Sequence, residues 1–182
     1  ELILKEGEGF ALYNEQTHGD ALVRYRLLVE WEERSSASSS QTITFSISTS
    51  SVYFGVASPA QARYASSTNT AGSNTEVVAH TLSALTSATN GYSITIQGDT
   101  LSAGTTTIAG LGSTSSTSNV GTEQFGIRVT ASGGSGSVNT PYATALYAFG
   151  ASSSTAVQVA SSTVGDSATT TFSLRYLLNI AP

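Results

Sequence analysis

Two histidines, four carboxylates beyond residue 40 and an abundance of hydroxyls are the groups from which this sequence must build any chemistry. A hydrolytic triad needs a hydroxyl nucleophile, an imidazole base and a carboxylate that orients the base. His18 sits in Gln16-Thr17-His18-Gly19-Asp20, a composition that reads as a solvated turn. His80 sits in Val77-Val78-Ala79-His80-Thr81-Leu82 and reads as a strand residue with a satisfied hydrogen bond. Serines are plentiful, but no G-x-S-x-G elbow presents one as a nucleophile. The acids Glu76, Asp99, Glu123 and Asp166 stand apart in sequence. They form neither an Asp-rich calcium loop nor the adjacent acid pair that would advertise glycoside hydrolysis.

Glycine-rich stretches are equally unpromising as phosphate cradles. Gly110-Leu111-Gly112 and Gly133-Gly134-Ser135-Gly136 lack the lysine of a Walker motif, and the only lysine is Lys5. The second stretch reads as a mobile connection between strands. Cysteine and methionine are both absent, which excludes disulfides, thiol catalysis and cysteine-based metal sites. The sequence therefore predicts no enzyme, no cofactor and no metal site.

The elements that would position these groups are strands. Ser and Thr make up 57 of the 182 residues, and charged residues only 10%. That composition suits sheets whose outer faces are hydroxylated, and suits helices poorly. Alternating apolar residues mark Ile43, Phe45 and Ile47; Tyr92, Ile94 and Ile96; Phe125, Ile127 and Val129; and Phe172, Leu174, Tyr176 and Leu178. Further strands are predicted over Val77–Leu82, Ala143–Phe149 and Ala156–Ala160, with Asn90-Gly91 as the best turn signal. Ser/Thr-rich 113–118 reads as a loop. Tyr53, Phe54, Tyr64, Tyr92, Tyr142, Tyr147 and Phe149 are expected to pack in a core rather than to form a sugar-stacking platform. Fold class follows: all-β, an antiparallel β-sandwich or jelly roll with an N-terminal strand or hairpin extension.

Charge divides the chain. Residues 1–34 hold 12 of the 19 charged side chains, and the other 148 residues hold 7. Ser35-Ser36-Ala37-Ser38-Ser39-Ser40 lies between and reads as a flexible linker. The predicted organisation is a β-hairpin or donor-strand extension at 1–34, a linker at 35–40 and a sandwich at 41–182. Within the extension, Val23, Tyr25, Leu27, Val29 and Trp31 alternate with Arg24, Arg26, Leu28, Glu30 and Glu32. Ten residues of period-2 alternation are a half-buried strand about 33 Å long. The net charge of -5 and scattered arginines exclude a nucleic-acid groove. No apolar run reaches the ~18 residues of a membrane span. The first residues lack the basic and apolar regions of a signal peptide, so an exported protein would be in its processed form here. Low charge, few lysines and many hydroxyls point to an extracellular or cell-surface location.

Three stretches carry a resemblance: Asn90-Gly91-Tyr92-Ser93-Ile94-Thr95-Ile96-Gln97-Gly98, Gly121-Thr122-Glu123-Gln124-Phe125-Gly126-Ile127-Arg128-Val129, and Phe172-Ser173-Leu174-Arg175-Tyr176-Leu177-Leu178-Asn179-Ile180-Ala181. In this order they resemble a group of uncharacterised exported Ser/Thr-rich surface proteins of candidate phyla radiation bacteria. The resemblance covers roughly 41–182 and implies an exported β-sandwich, with no catalytic or binding residues attached. In that pattern a final Ala/Gly/Tyr/Thr-rich strand follows the Asn-Ile-Ala motif. Its absence here implies a sandwich one strand short. Such a sheet exposes apolar core and unpaired backbone that another strand must cover. Val23, Tyr25, Leu27, Val29 and Trp31 have the form of that strand, and burying them contributes about 10 kcal/mol before ordering costs. Given to an identical neighbour, the strand would build an extracellular, pilus-like homopolymer by donor-strand complementation. Folded back on its own sheet, it would leave a monomeric surface adhesin with a possible glycan or host-cell contact. A viral capsid-like jelly roll is the third reading.

Overall fold

In the computed structural model, residues 40–103 and 106–182 are described. Val23, Tyr25, Leu27, Val29 and Trp31 lie outside the described residues, as does most of the Ser-rich linker.

The described chain is all-β. Its strands are β1 (Ile43–Ile47), β2 (Arg63–Tyr64), β3 (His80–Thr86), β4 (Tyr92–Ile96), β5 (Ser102–Ala103), β6 (Thr106–Thr107), β7 (Gly112–Ser116), β8 (Gln124–Gly133), β9 (Ser137–Val138), β10 (Tyr147–Phe149), β11 (Val157–Ser162) and β12 (Thr170–Asn179). A seven-stranded sheet runs in the order β1-β3-β12-β8-β10-β7, with β2 also paired to β12. A three-stranded sheet runs β4-β11-β9, and β5 and β6 form a separate ribbon. Every one of these strand pairs is antiparallel.

The two larger sheets sandwich one core. Leu82 and Ala84 of β3, Ile127 and Val129 of β8, and Phe172 and Leu174 of β12 meet Tyr92 and Ile94 of β4 and Val159 and Ala160 of β11. Tyr92 and Phe172 join the layers edge to face, with ring centroids 6.4 Å apart, a geometry favoured by the aromatic quadrupole. β12 anchors the large sheet, pairing with β8 over ten residues and with β3 over five. Its inward residues Thr170, Phe172 and Leu174 are buried, in the alternation that the sequence predicts.

Several strand boundaries differ from the sequence expectation. β3 begins at His80 rather than Val77 and continues through Ser83-Ala84-Leu85-Thr86. Thr86 is buried yet satisfied, since its hydroxyl donates to Thr42 O (2.8 Å) and accepts from Ala88 N (3.0 Å). Of 143–149 only Tyr147–Phe149 is strand. A turn precedes it, held in part by Leu146 N donating to the Thr144 hydroxyl at 3.2 Å. Of 113–118, expected as loop, residues 113–116 belong with Gly112 to β7 and pair with β10. Hydroxylated on both faces, that strand has no apolar alternation to announce it.

Candidate functional site: an uncovered sheet face

Ile43, Phe45 and Ile47 lie opposite Thr86, Ala84 and Leu82 in the β1–β3 register. Directly opposed residues of an antiparallel pair project to the same side of the sheet. Thr86, Ala84 and Leu82 are buried, so this side faces the core. The β1 residues are nevertheless 63%, 53% and 48% exposed. β1 is the edge of its sheet, and β4 is an edge of the facing sheet. Among the described residues nothing covers this apolar row. A flat edge strand with an exposed apolar face is a pairing surface unless something blunts it. β1 carries no charge and no proline to do so.

Beyond Ile47 the row leads into a cavity of about 330 Å³ lined by Ile47, Val52, Phe54, His80, Phe125 and Tyr176. Phe54 closes one wall by packing edge-on against Phe125, with centroids 6.4 Å apart. His80 and Tyr176 lie 96 residues apart in the chain and stack with nearly parallel rings at 5.6 Å. His80 Nε2 lies 2.7 Å from the Tyr176 hydroxyl. Among the described residues the other ring nitrogen, Nδ1, is buried without a partner. Burial depresses the His80 pKa, so the neutral ring is favoured. Among the described residues no carboxylate and no serine hydroxyl is bonded to this imidazole, so those residues do not supply a nucleophilic relay here.

The remaining polar groups are used as structural ties. Glu76 accepts from Arg128 Nη1 (2.5 Å) and from the Tyr147 hydroxyl, and forms an ion pair with Arg175, whose Nε lies 3.2 Å away. Arg128 and Arg175 face each other across β8 and β12, so Glu76 offsets two like charges in register. Asp166 accepts from the Ser135 backbone N–H (2.7 Å) and from the Ser135 hydroxyl. Gly136 N donates to Thr170 Oγ1 at 2.9 Å. The Gly133–Gly136 stretch is thus tied down rather than a loose connection. Asp99 receives Ser153 N at 2.8 Å, and Glu123 is exposed just before β8. Among the described residues no three of His, Asp and Glu converge as metal ligands.

Tyr92, Tyr142, Tyr147 and Phe149 are buried, as their alternation predicts, while Tyr53 is exposed. Burial raises the phenol pKa of Tyr92, Tyr142, Tyr147 and Tyr176, the last to about 12. A raised phenol pKa means that the folded state holds its proton more tightly than the unfolded chain does. Tyr176 therefore contributes stability in full below its unfolded pKa near 10, and that stability is lost as pH rises through 12. Two units correspond to about 3 kcal/mol. These four of the eight tyrosines are expected to ionise only in a cooperative step that coincides with loss of the sheet signal. Tyrosinate absorbance and circular dichroism, followed together through an alkaline titration, check this. All eight ionising near pH 10 in a folded chain would contradict it.

No helix among the described residues is long and apolar enough to cross a membrane. No protein-family model matches the sequence. No curated protein and no solved structure shows significant similarity to it.

Proposed function

We propose that the protein is a structural subunit of an extracellular filament, in which residues 23–31 of one copy cover the open face of β1 in the next. The uncovered row Ile43, Phe45 and Ile47 carries this reading, because a sandwich that displays three core-facing side chains at its edge needs a partner. The donor row has matching form. Tyr25, Leu27, Val29 and Trp31 recur every second residue, about 6.8 Å apart, which is the spacing along β1. Arg24, Arg26, Glu30 and Glu32 fall on the opposite side of such a strand and remain in water. Main-chain bonds along the open edges supply affinity and the alternate side chains set register. Contact of this head-to-tail kind does not close on itself and propagates into a fibre.

A location outside the cell fits the low charge, the few lysines, the many hydroxyls and the resemblance to exported Ser/Thr-rich proteins. The reading is non-enzymatic: the partners are identical subunits, and no nucleic acid or cofactor is required. Negative-stain microscopy and size-exclusion chromatography of the full chain at neutral pH test it. Filaments or a series of oligomers are expected. A single stable species at 18.6 kDa would overturn the reading in favour of a strand folded back on its own sheet.

A further inference from the structure

We propose, on the basis of the strand-donation reading, that Tyr25 of the incoming copy seats in the cavity beyond Ile47, with Leu27, Val29 and Trp31 laid over Ile47, Phe45 and Ile43. Three features of the fold lead to this register.

The first is direction. β1 is antiparallel to β3. A tight turn at Asn90-Gly91, with Gly91 N bonded to Ala88 O at 3.0 Å, reverses the chain between β3 and β4. β4 therefore runs in the same sense as β1. Every strand pair in the sandwich is antiparallel, and antiparallel pairing is the more stable ladder. A strand added antiparallel to β4 runs opposite to β1, so its N-terminal part meets the Ile47 end.

The second is spacing. Ile43, Phe45 and Ile47 are three positions separated by two steps of two residues, and Ile47 itself lines the cavity. The donor row offers three apolar residues preceded by a fourth at the same spacing. With Trp31, Val29 and Leu27 over Ile43, Phe45 and Ile47, the next residue on that face is Tyr25.

The third is chemistry. The cavity walls are mostly apolar, with the Thr49 and Ser50 side chains and the His80 ring as polar members of the lining. A phenol fills apolar space with its ring and both donates and accepts at its hydroxyl, so it suits a cavity that mixes apolar walls with the Thr49 and Ser50 hydroxyls. Val23, one step back along the donor, is smaller and brings no polar atom. Trp31 would reach the cavity only in a strand running the other way, and its indole N–H can only donate.

Cross-linking tests the register on the full chain, where the absence of native cysteine makes every thiol an engineered one. Three double variants are compared after treatment with a short bifunctional thiol cross-linker: Tyr25→Cys with Val52→Cys, Val29→Cys with Phe45→Cys, and Trp31→Cys with Val52→Cys. Stacked sheets lie about 10 Å apart, beyond the ~7 Å between Cα atoms that a disulfide bridges, so a linker spanning one layer gap lets each pair report one alignment. Covalent ladders from the first two pairs and none from the third are expected on denaturing gels. Ladders from 29/45 without any from 25/52 overturn the Tyr25 seat and leave strand donation standing. A ladder from 31/52 reverses the strand and also overturns it. Bonds formed only within single chains, or no ladder from any pair, overturn strand donation itself.

Discussion

Filaments are expected to vanish when Phe45 is replaced by aspartate, while the folded domain keeps its melting temperature to within a few degrees. Phe45 is the middle residue of the uncovered row and is more than half exposed. In an isolated subunit the substitution removes little buried area and costs about 1 kcal/mol or less through strand preference. In the proposed filament the same position lies beneath the donor strand. A carboxylate buried there without a partner costs several kcal/mol. At about 1.4 kcal/mol per tenfold, roughly 4 kcal/mol weakens association by about a thousandfold. Electron microscopy reads the assembly and thermal melting reads the fold. Filaments of ordinary length would contradict the proposal. A melting temperature lowered by more than about 8 °C would show that the chain covers β1 itself.

Replacing Gly72 by alanine is expected to lower the melting temperature by more than about 6 °C, which corresponds to over 3 kcal/mol or so. Gly55 and Gly72 both have φ of 68° and approach each other's neighbouring backbone. A Cβ on Gly72 would stand 2.2 Å from Phe54 O, and one on Gly55 would stand 2.0 Å from Ala71 O. Left-handed backbone alone costs an alanine about 1–2 kcal/mol. The clash adds to that, because a carbonyl in the 53–73 segment must move. Arg63 Nε donates to the same Phe54 O at 3.0 Å, so its bond is disturbed as well. Gly112 is the control: its φ is 79°, but nothing lies within 4 Å of an added Cβ. Gly112→Ala should show only the conformational part, and thermal melting of the two variants separates the clash from the strain. Equal losses at the two positions would contradict the packing account.

The sequence made the strands with large alternating side chains visible and concealed the rest. Phe172, Leu174 and Tyr176, like Tyr92 and Ile94, stand out because apolar and hydroxylated residues alternate strictly. β7, with Gly112-Ser113-Thr114-Ser115-Ser116, has the same geometry without the contrast. The end of β3 is hidden for a related reason, since Thr86 is a polar residue that the core accepts once its hydroxyl is paired. Alternation in Ile43, Phe45 and Ile47 reveals that a face is apolar but not whether anything covers it. Coverage depends on how many strands the opposite sheet has. Likewise the Glu76 tie joins residues 52 positions apart to Arg128 and 71 apart to Tyr147, which only the folded sheet brings together. His80 was expected to be a satisfied strand residue. It is a buried strand residue with only one of its two ring nitrogens bonded.

The place of β12 in the large sheet has a consequence for how the chain reaches its fold. β12 is the last strand among the described residues, yet it lies between β3 and β8 and joins them. On a ribosome those two strands emerge first and have no common neighbour until Thr170–Asn179 has been made. Contacts between ends so distant in sequence make folding slow, because loop closure must precede the pairing that rewards it. The large sheet would therefore stay open until Thr170–Asn179 is available, and pairing of β12 is the step that unites β3 with β8.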